Sequence, residues 1–346
     1  MAMTLSATRR HVLKTGAALA AGLACPTLIP ARAFAQAAGT QPINMQLGWL
    51  ANNNQLGEIA AKRLGYFEEE KIDFAIQPGG PSIDGVAIVA SGRYEIGQVS
   101  SSPSLLLAAS QGIPVQCFAV GAQEHPYSFF SLPAKPVRTA QDMVGRKVGV
   151  QATGRVLLSA LLGKHGVSEG DVEVVVIGAD MSPLLTGQVD CVTGWETNRS
   201  ALKVLGPDMI TMRLWDQGVR LYAMPYYATA ETIAGKGELL AGFLRAAGRG
   251  WQYAHDNPEQ AIDLFLQEYP DLVREDELAA SKTLLKYVFT GKTLQAGWGC
   301  FDPAVWQEQI DLYASLGQFS AGAPALGAVM TTAVLDATRD NRPKIG

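Results

Sequence analysis

The chain has 346 residues, 48% hydrophobic and 17% charged, with a formal net charge of −4. That length and balance suit one large or two medium globular domains with a sizeable core, and they exclude a largely disordered chain. The acidic balance argues against nucleic acid and against anionic membrane surfaces as partners.

Residues 1–35 read as an export signal. Thr8-Arg9-Arg10-His11-Val12-Leu13-Lys14 is a basic start, Thr15 to Leu23 a small and apolar centre, and Ala33-Phe34-Ala35 an A-x-A end. The adjacent arginines resemble the twin-arginine type. Cys25 is a poor lipoprotein anchor, because Gly22 stands where an aliphatic residue is wanted. Losing the segment removes Arg9, Arg10, Lys14 and Arg32 and no acid, so the remaining chain is more acidic still. No later run reaches the roughly 18 apolar residues of a membrane span. The expectation is a protein free in the periplasm.

From Asn44 the chain repeats one unit: a strand, a turn of Gly, Ser, Pro or Thr, then a helix-period run. Asn44–Trp49 leads through Ala51-Asn52-Asn53-Asn54 to a helix carrying Leu56, Ile59, Ala60 and Leu64, which Gly65 caps. Ile72, Phe74 and Ile76 alternate as a strand, and Pro78-Gly79-Gly80-Pro81-Ser82 opens a helix from Ile83 to Ala90. The grammar recurs at Glu95–Val99 with Ser100-Ser101-Ser102-Pro103, and at Lys147–Val150 with Gln151-Ala152-Thr153-Gly154. It recurs again at Asp190–Thr193, where Gly194 turns the chain into Trp195-Glu196-Thr197-Asn198. This pattern predicts an α/β fold with mostly parallel sheets flanked by helices. From about Glu238 onward the pattern is helical: Leu239 to Ala254, Pro258 to Gln267, Asp276 to Phe289, Asp302 to Leu316 and Ala325 to Thr338. Two α/β segments, 43–132 and 137–222, meet at Leu132-Pro133-Ala134-Lys135-Pro136, read as a crossing between domains or as a Pro-rich loop inside one.

In open α/β sheets ligands collect beyond the carboxyl ends of strands. The turns at Gly80-Pro81-Ser82, Ser101-Ser102 and Thr153-Gly154 present N–H groups and hydroxyls at helix starts, suited to a polar or anionic ligand group or to capping alone. No phosphate loop, serine-hydrolase elbow or calcium loop is present in the sequence. Beyond the signal the cysteines are Cys117, Cys191 and Cys300, an odd number, with Cys117 and Cys191 read as buried thiols. His125, His165 and His255 lack metal-ligand spacing and read as ordinary surface or loop residues. Binding is therefore favoured over catalysis, with no cofactor and no metal.

Four stretches carry a resemblance: Gly65-Tyr66-Phe67-Glu68-Glu69-Glu70-Lys71-Ile72, Val89-Ala90-Ser91-Gly92-Arg93-Tyr94-Glu95-Ile96-Gly97, Gln111-Gly112-Ile113-Pro114-Val115 and Asp142-Met143-Val144-Gly145-Arg146-Lys147-Val148-Gly149-Val150. In this order the chain, from about 43 to 315, resembles substrate-binding proteins of ABC importers. The branch is the one that binds the thiamine pyrimidine precursor, alkanesulfonates, taurine and nitrate. The resemblance implies a two-lobed periplasmic binding protein fold of type II, a monomer that closes on one small molecule and docks on a membrane permease. The lobes would be 43–132 with 226–346, and 133–225, with hinge crossings near 132–136 and 222–227. It also implies a Trp49 that stacks on a flat heterocycle while Asn52 and Asn53 read its edge, with Trp195 on the opposite wall and Glu196 or Asn198 at exocyclic groups; the alternatives are a core Trp49, and Glu196 and Thr197 that only begin a helix to Leu205. Tyr222, Tyr226 and Tyr227 either line the cleft or pack the hinge. An anionic ligand would instead want helix N-termini and an Arg, with Arg155 and Arg199 nearby. Pyrimidine-precursor synthases of the same fold carry a cysteine-rich iron-binding segment, where this chain has Cys191 alone.

Overall fold

The computed structural model describes residues 39–80, 82–178 and 180–346, the side chain of Thr153 excepted. The expected export signal and Cys25 lie outside the described residues.

Among the described residues ten strands form two sheets. They are β1 (Gln41–Leu47), β2 (Ile72–Gln77), β3 (Ile96–Gln98), β4 (Val115–Ala122), β5 (Tyr127–Ser131), β6 (Lys147–Val150), β7 (Glu173–Val176), β8 (Cys191–Trp195), β9 (Ile210–Arg213) and β10 (Ala223–Thr229). The first sheet has the order β2-β1-β3-β10-β4 and the second β7-β6-β8-β5-β9. Parallel ladders join β1 to β2 and β3, and β6 to β7 and β8. β10 runs antiparallel to β3 and β4, and β5 antiparallel to β8 and β9. Each sheet is thus mixed: one strand opposes the other four, and half of the ladders are antiparallel, where mostly parallel sheets were expected. The reversed strand in each sheet is the one by which the chain enters it from the other.

The passage out of the first sheet runs through Gln123 to Pro126, because Ala122 ends β4 and Tyr127 begins β5. The return runs through residues 214–222, and Ala223 already pairs with Ala122. Leu132–Pro136 therefore lies between β5 and β6, inside the second sheet's half, as a Pro-rich loop and not a crossing. Its prolines mark a bend, while the true crossing is built from buried residues that carry no linker composition.

The ends of the elements follow their local chemistry. Gly65 (φ 78) supplies the left-handed residue after the helix Leu56–Arg63. That helix crosses the long helix Gly237–Asp256 at glycines: a Cβ on Gly57 would stand 2.3 Å from the Trp251 ring, and one on Gly250 2.0 Å from the Gly57 carbonyl oxygen. Only bare backbones approach so closely, and the approach drives Leu56, Glu58 and Ile59 into the core. Around them Phe67, Phe74 and Phe243 stack with centroids 4.2–5.8 Å apart. A second core runs under both sheets, from Leu105 and Cys117 through Tyr127 and Phe129 of β5 to Leu161 and Trp306.

The expected C-terminal helices occur as Gly237–Asp256, Pro258–Leu266, Arg274–Val288 and Pro303–Ser315. The last expected helix is broken into Leu326–Val329 and Ala333–Ala337, because Met330 and Thr331 bond to Cys117 and cover the exposed edge of β4.

Candidate functional site

The first wall lies beyond β1 and β3. Gly79, just after β2, presses against the end of β1, where a Cβ on it would meet the Leu47 carbonyl oxygen at 2.3 Å. Trp49 and Leu50 consequently stand outward, 40% and 57% exposed, with Gly80 buried against Leu50. Asn52 caps the short turn Asn53–Gln55: its Oδ1 accepts from Asn54 N at 2.9 Å, and Gln55 Oε1 accepts from Asn52 N at 3.1 Å. Behind the turn, Gln55 Nε2 donates to Gln98 Oε1 at 2.6 Å, and Gln98 Nε2 donates to Glu58 Oε1 at 3.0 Å. Tyr226 Oη also donates to Glu58 Oε1. A recess opens here, lined by Trp49, Asn52, Asn54, Gln55, Gln98 and Met224 among others, and no lining residue is charged. Asn54 is buried and its Oδ1 has no partner among the described residues. Met224 is held at φ 54, a strained conformation for a residue with a Cβ, with its N–H on Ser100 O at 3.3 Å.

The second cluster forms where the chain passes between sheets. His125, expected as a surface or loop residue, is only 1% exposed, because the crossing that carries it packs against Trp195. Its Nδ1 accepts from Tyr127 N at 3.1 Å, so the neutral ring carries its proton on Nε2. Nε2 faces the Ser100 carbonyl without reaching hydrogen-bond geometry, and burial pushes the imidazole down to about 3. Trp195 lies edge-on to His125 at 4.9 Å and is half-buried between the two larger cores. In register beside it, Tyr127 sets its hydroxyl where a Cβ on Gly154 would be, 2.2 Å away. Ser101 Oγ, His125 Nε2 and Tyr127 Oη are all buried with no partner among the described residues. Orphaned polar atoms are rare in a folded core. Of the three, His125 lies against the Trp195 ring and Tyr127 is in register with it, whereas Ser101 bridges to Ala223 of β10.

Several expected contacts are placed elsewhere. Glu196 has both oxygens committed: Oε1 accepts from Ser128 Oγ at 2.6 Å and Oε2 from Tyr287 Oη at 2.8 Å, with Arg213 Nε 3.4 Å from Oε1. Its carboxylate joins the two halves, with protein partners on both oxygens. Asn198 is exposed one turn further on, because Gly194 and Trp195 continue β8 and the chain turns only after them. Ser82 is exposed, and Asp84 caps the following helix in its place. Ser102 is fully buried, donating to Gln309 Oε1 at 2.6 Å and accepting from Tyr222 N at 3.1 Å, and it makes no cap bond. Tyr222 packs on Trp306 at 5.7 Å and its hydroxyl accepts from Asp302 N at 2.8 Å, so it belongs to the hinge packing. Asn53 is buried under the capping turn. The Thr153 side chain lies outside what the structure describes.

Trp49, Asn52, Gly80, Ser101, Gly154 and Trp195 remain at the two clusters. Sequence reading missed Asn54, Gln55, Gln98, His125 and Tyr127. A polar Gln98 inside an otherwise apolar strand was the available signal; His125 gave none, since its burial comes from Trp195. Among the described residues no group of three or more His, Cys, Asp or Glu is gathered as a metal site. Cys191 is buried in β8 with its thiol pushed up by desolvation.

The chain is similar to known proteins at two levels, sequence and fold. The family model described as NMT1/THI5 like matches residues 52–261. The 4-amino-5-hydroxymethyl-2-methylpyrimidine phosphate synthase of Legionella pneumophila is 28% identical over 238 residues, 66% of this chain and 74% of that protein. The formylaminopyrimidine-binding protein of Halalkalibacterium halodurans is 26% identical over 281 residues, 78% of this chain and 84% of that one. In three dimensions the periplasmic aliphatic sulphonate binding protein of Escherichia coli superposes with a TM-score of 0.64 at 16% identity, covering 84% of this chain and 92% of that one. At that identity it shows the shared fold, the two-lobed periplasmic binding protein fold.

Proposed function

Since the chain belongs to the NMT1/THI5-like family, we propose that it is the solute-binding component of an ABC importer, holding one neutral, pyrimidine-like heteroaromatic between two lobes and handing it unchanged to a membrane permease. It works in the periplasm, after export by the twin-arginine route. The observation that carries this reading is the recess beside Trp49, walled by the amides of Asn52, Asn54, Gln55 and Gln98 and free of charged lining. An aromatic face with several amide groups suits a flat ring with polar edges.

The anionic alternative is weaker on the same ground. A sulfonate or nitrate wants an available guanidinium. Arg155 is paired with Glu169 at 3.3 Å, Arg213 is held by Glu124 at 2.5 Å, and Arg199 is exposed.

In this reading the lobes are residues 39–122 with 223–346, and 127–213, and they close by hinge motion about residues 123–126 and 214–222. Trp195, backed by His125, is the second wall, and Ser101 and Tyr127 supply polar contacts at the floor. Native mass spectrometry of the protein recovered from periplasm tests the proposal. An intact neutral nitrogen heterocycle released on denaturation is expected; a sulfonate, or a chemically altered product, contradicts it.

A further inference from the structure

Glu58 is fully buried, and the groups that meet it are Tyr226, Gln98 and the Trp251 indole, which makes no hydrogen bond of ordinary geometry with it. A buried carboxylate without a cation is costly and calls for a reason. Its position is enforced by the Gly57–Gly250 helix crossing, and its effect is directional. Oε1 of Glu58 accepts from both Gln98 and Tyr226, so a proton on this carboxyl sits on Oε2 and Oε1 accepts in either state, while a backbone N–H donates. Between those two fixed ends run two amides: Asn52 N–H to Gln55 Oε1, Gln55 Nε2 to Gln98 Oε1, and Gln98 Nε2 to Glu58 Oε1. Neither amide can turn over without setting like against like. Each NH2 keeps a second N–H, both glutamines line the recess, and the unpaired Asn54 Oδ1 stands on the same wall.

We infer that Glu58 is a positioning residue for ligand selection: through Gln98 and Gln55 it fixes N–H donors beside the Asn54 carbonyl, so that the recess takes a ring edge pairing an acceptor nitrogen with an exocyclic amine. This rests on the reading of the recess as a heteroaromatic site. An amide at position 58 can present either its oxygen or its NH2 to Gln98, so the direction of the relay is no longer imposed.

The test is calorimetry of the full protein with 4-amino-2-methylpyrimidine and with its 4-oxo counterpart, whose donor and acceptor are exchanged. The wild type is expected to favour the amine at least tenfold, and Glu58→Gln to bring the two within threefold at unchanged circular dichroism. A Glu58→Gln protein that keeps the wild-type ratio overturns the inference alone, as does a wild type that binds both equally well. A wild type that binds neither overturns the heteroaromatic reading and the inference with it. Should Glu58→Gln fail to fold, Gln55→Met, which breaks the relay with Glu58 still paired to Gln98 and Tyr226, is read the same way: loss of the ratio supports the relay and its retention overturns it.

Discussion

Glu196, at the end of β8, accepts a hydrogen bond from the Tyr287 hydroxyl at 2.8 Å, joining the second sheet's half to the helix Arg274–Val288 of the first. Arg213 stacks over the same Tyr287 ring at 4.8 Å and reaches Glu124 on the outgoing crossing, so the end of β9 links that crossing to the Glu196 carboxylate. Tyr287→Phe removes the donor to that charged acceptor and keeps the ring. A loss of about 1.5–3 kcal/mol is expected by urea unfolding, the range for hydrogen bonds to charged groups. A change below the error of the extrapolation would mean that the contact carries no stability.

Trp195→Ala opens the second wall without touching the recess beside Trp49. By analogy with aromatic stacking on a nucleobase, affinity for a pyrimidine ligand should fall by about 1–3 kcal/mol. Calorimetry on a variant with unchanged near-ultraviolet circular dichroism outside the tryptophan bands checks this. Full affinity would return Trp195 to a packing role against His125.

His125 and Glu58 pull stability in opposite directions with pH. Burial holds the folded imidazole at about 3, below its ordinary 6.5, so the unfolded chain binds the extra proton and stability falls as pH drops from 6.5 toward 3. Burial raises the Glu58 carboxyl from 4.5 to about 7, opposed first by the Tyr226 hydrogen bond. The folded state then binds the extra proton, and stability falls as pH rises from 4.5 through 7. Glu58→Gln should therefore compare more favourably with the wild type at about pH 8 than at about pH 5 in chemical unfolding. An equal difference at both pH values would show that Glu58 does not titrate in this window.

Much of the architecture was legible because strands and turns are local. β2 and β6 sit at the expected Ile72, Phe74, Ile76 and Lys147–Val150, and Gly65 caps where it should. The crossing was misplaced because Pro133 and Pro136 carry linker composition, whereas Gln123 and His125 are buried by tertiary packing that local sequence does not encode. The same limit applies at the site. Ser102 and Tyr222 have the composition of ligand contacts, but Gln309 and Asp302, some 80 and more residues away in sequence, claim them. The meaning of Gln98 depends on Glu58, which a helix crossing brings to it.

Cys117, Cys191 and Cys300 are free and buried, and desolvation pushes all three thiols up. Native protein should leave them unreactive toward Ellman's reagent for minutes, and denaturant should release all three together. Prompt reaction of one in the native state would place it at an opening that the folded protein does not have.

The proposed ligand is a neutral heteroaromatic, and the recess beside Trp49 that would take it has no charged lining residue. Calorimetry of the purified protein against pyrimidines, flavins, an alkanesulfonate and nitrate measures it most directly. Binding of a neutral nitrogen heterocycle, with none of the two anions, is the expected result; tight binding of the sulfonate or nitrate, with no heterocycle bound, would contradict it.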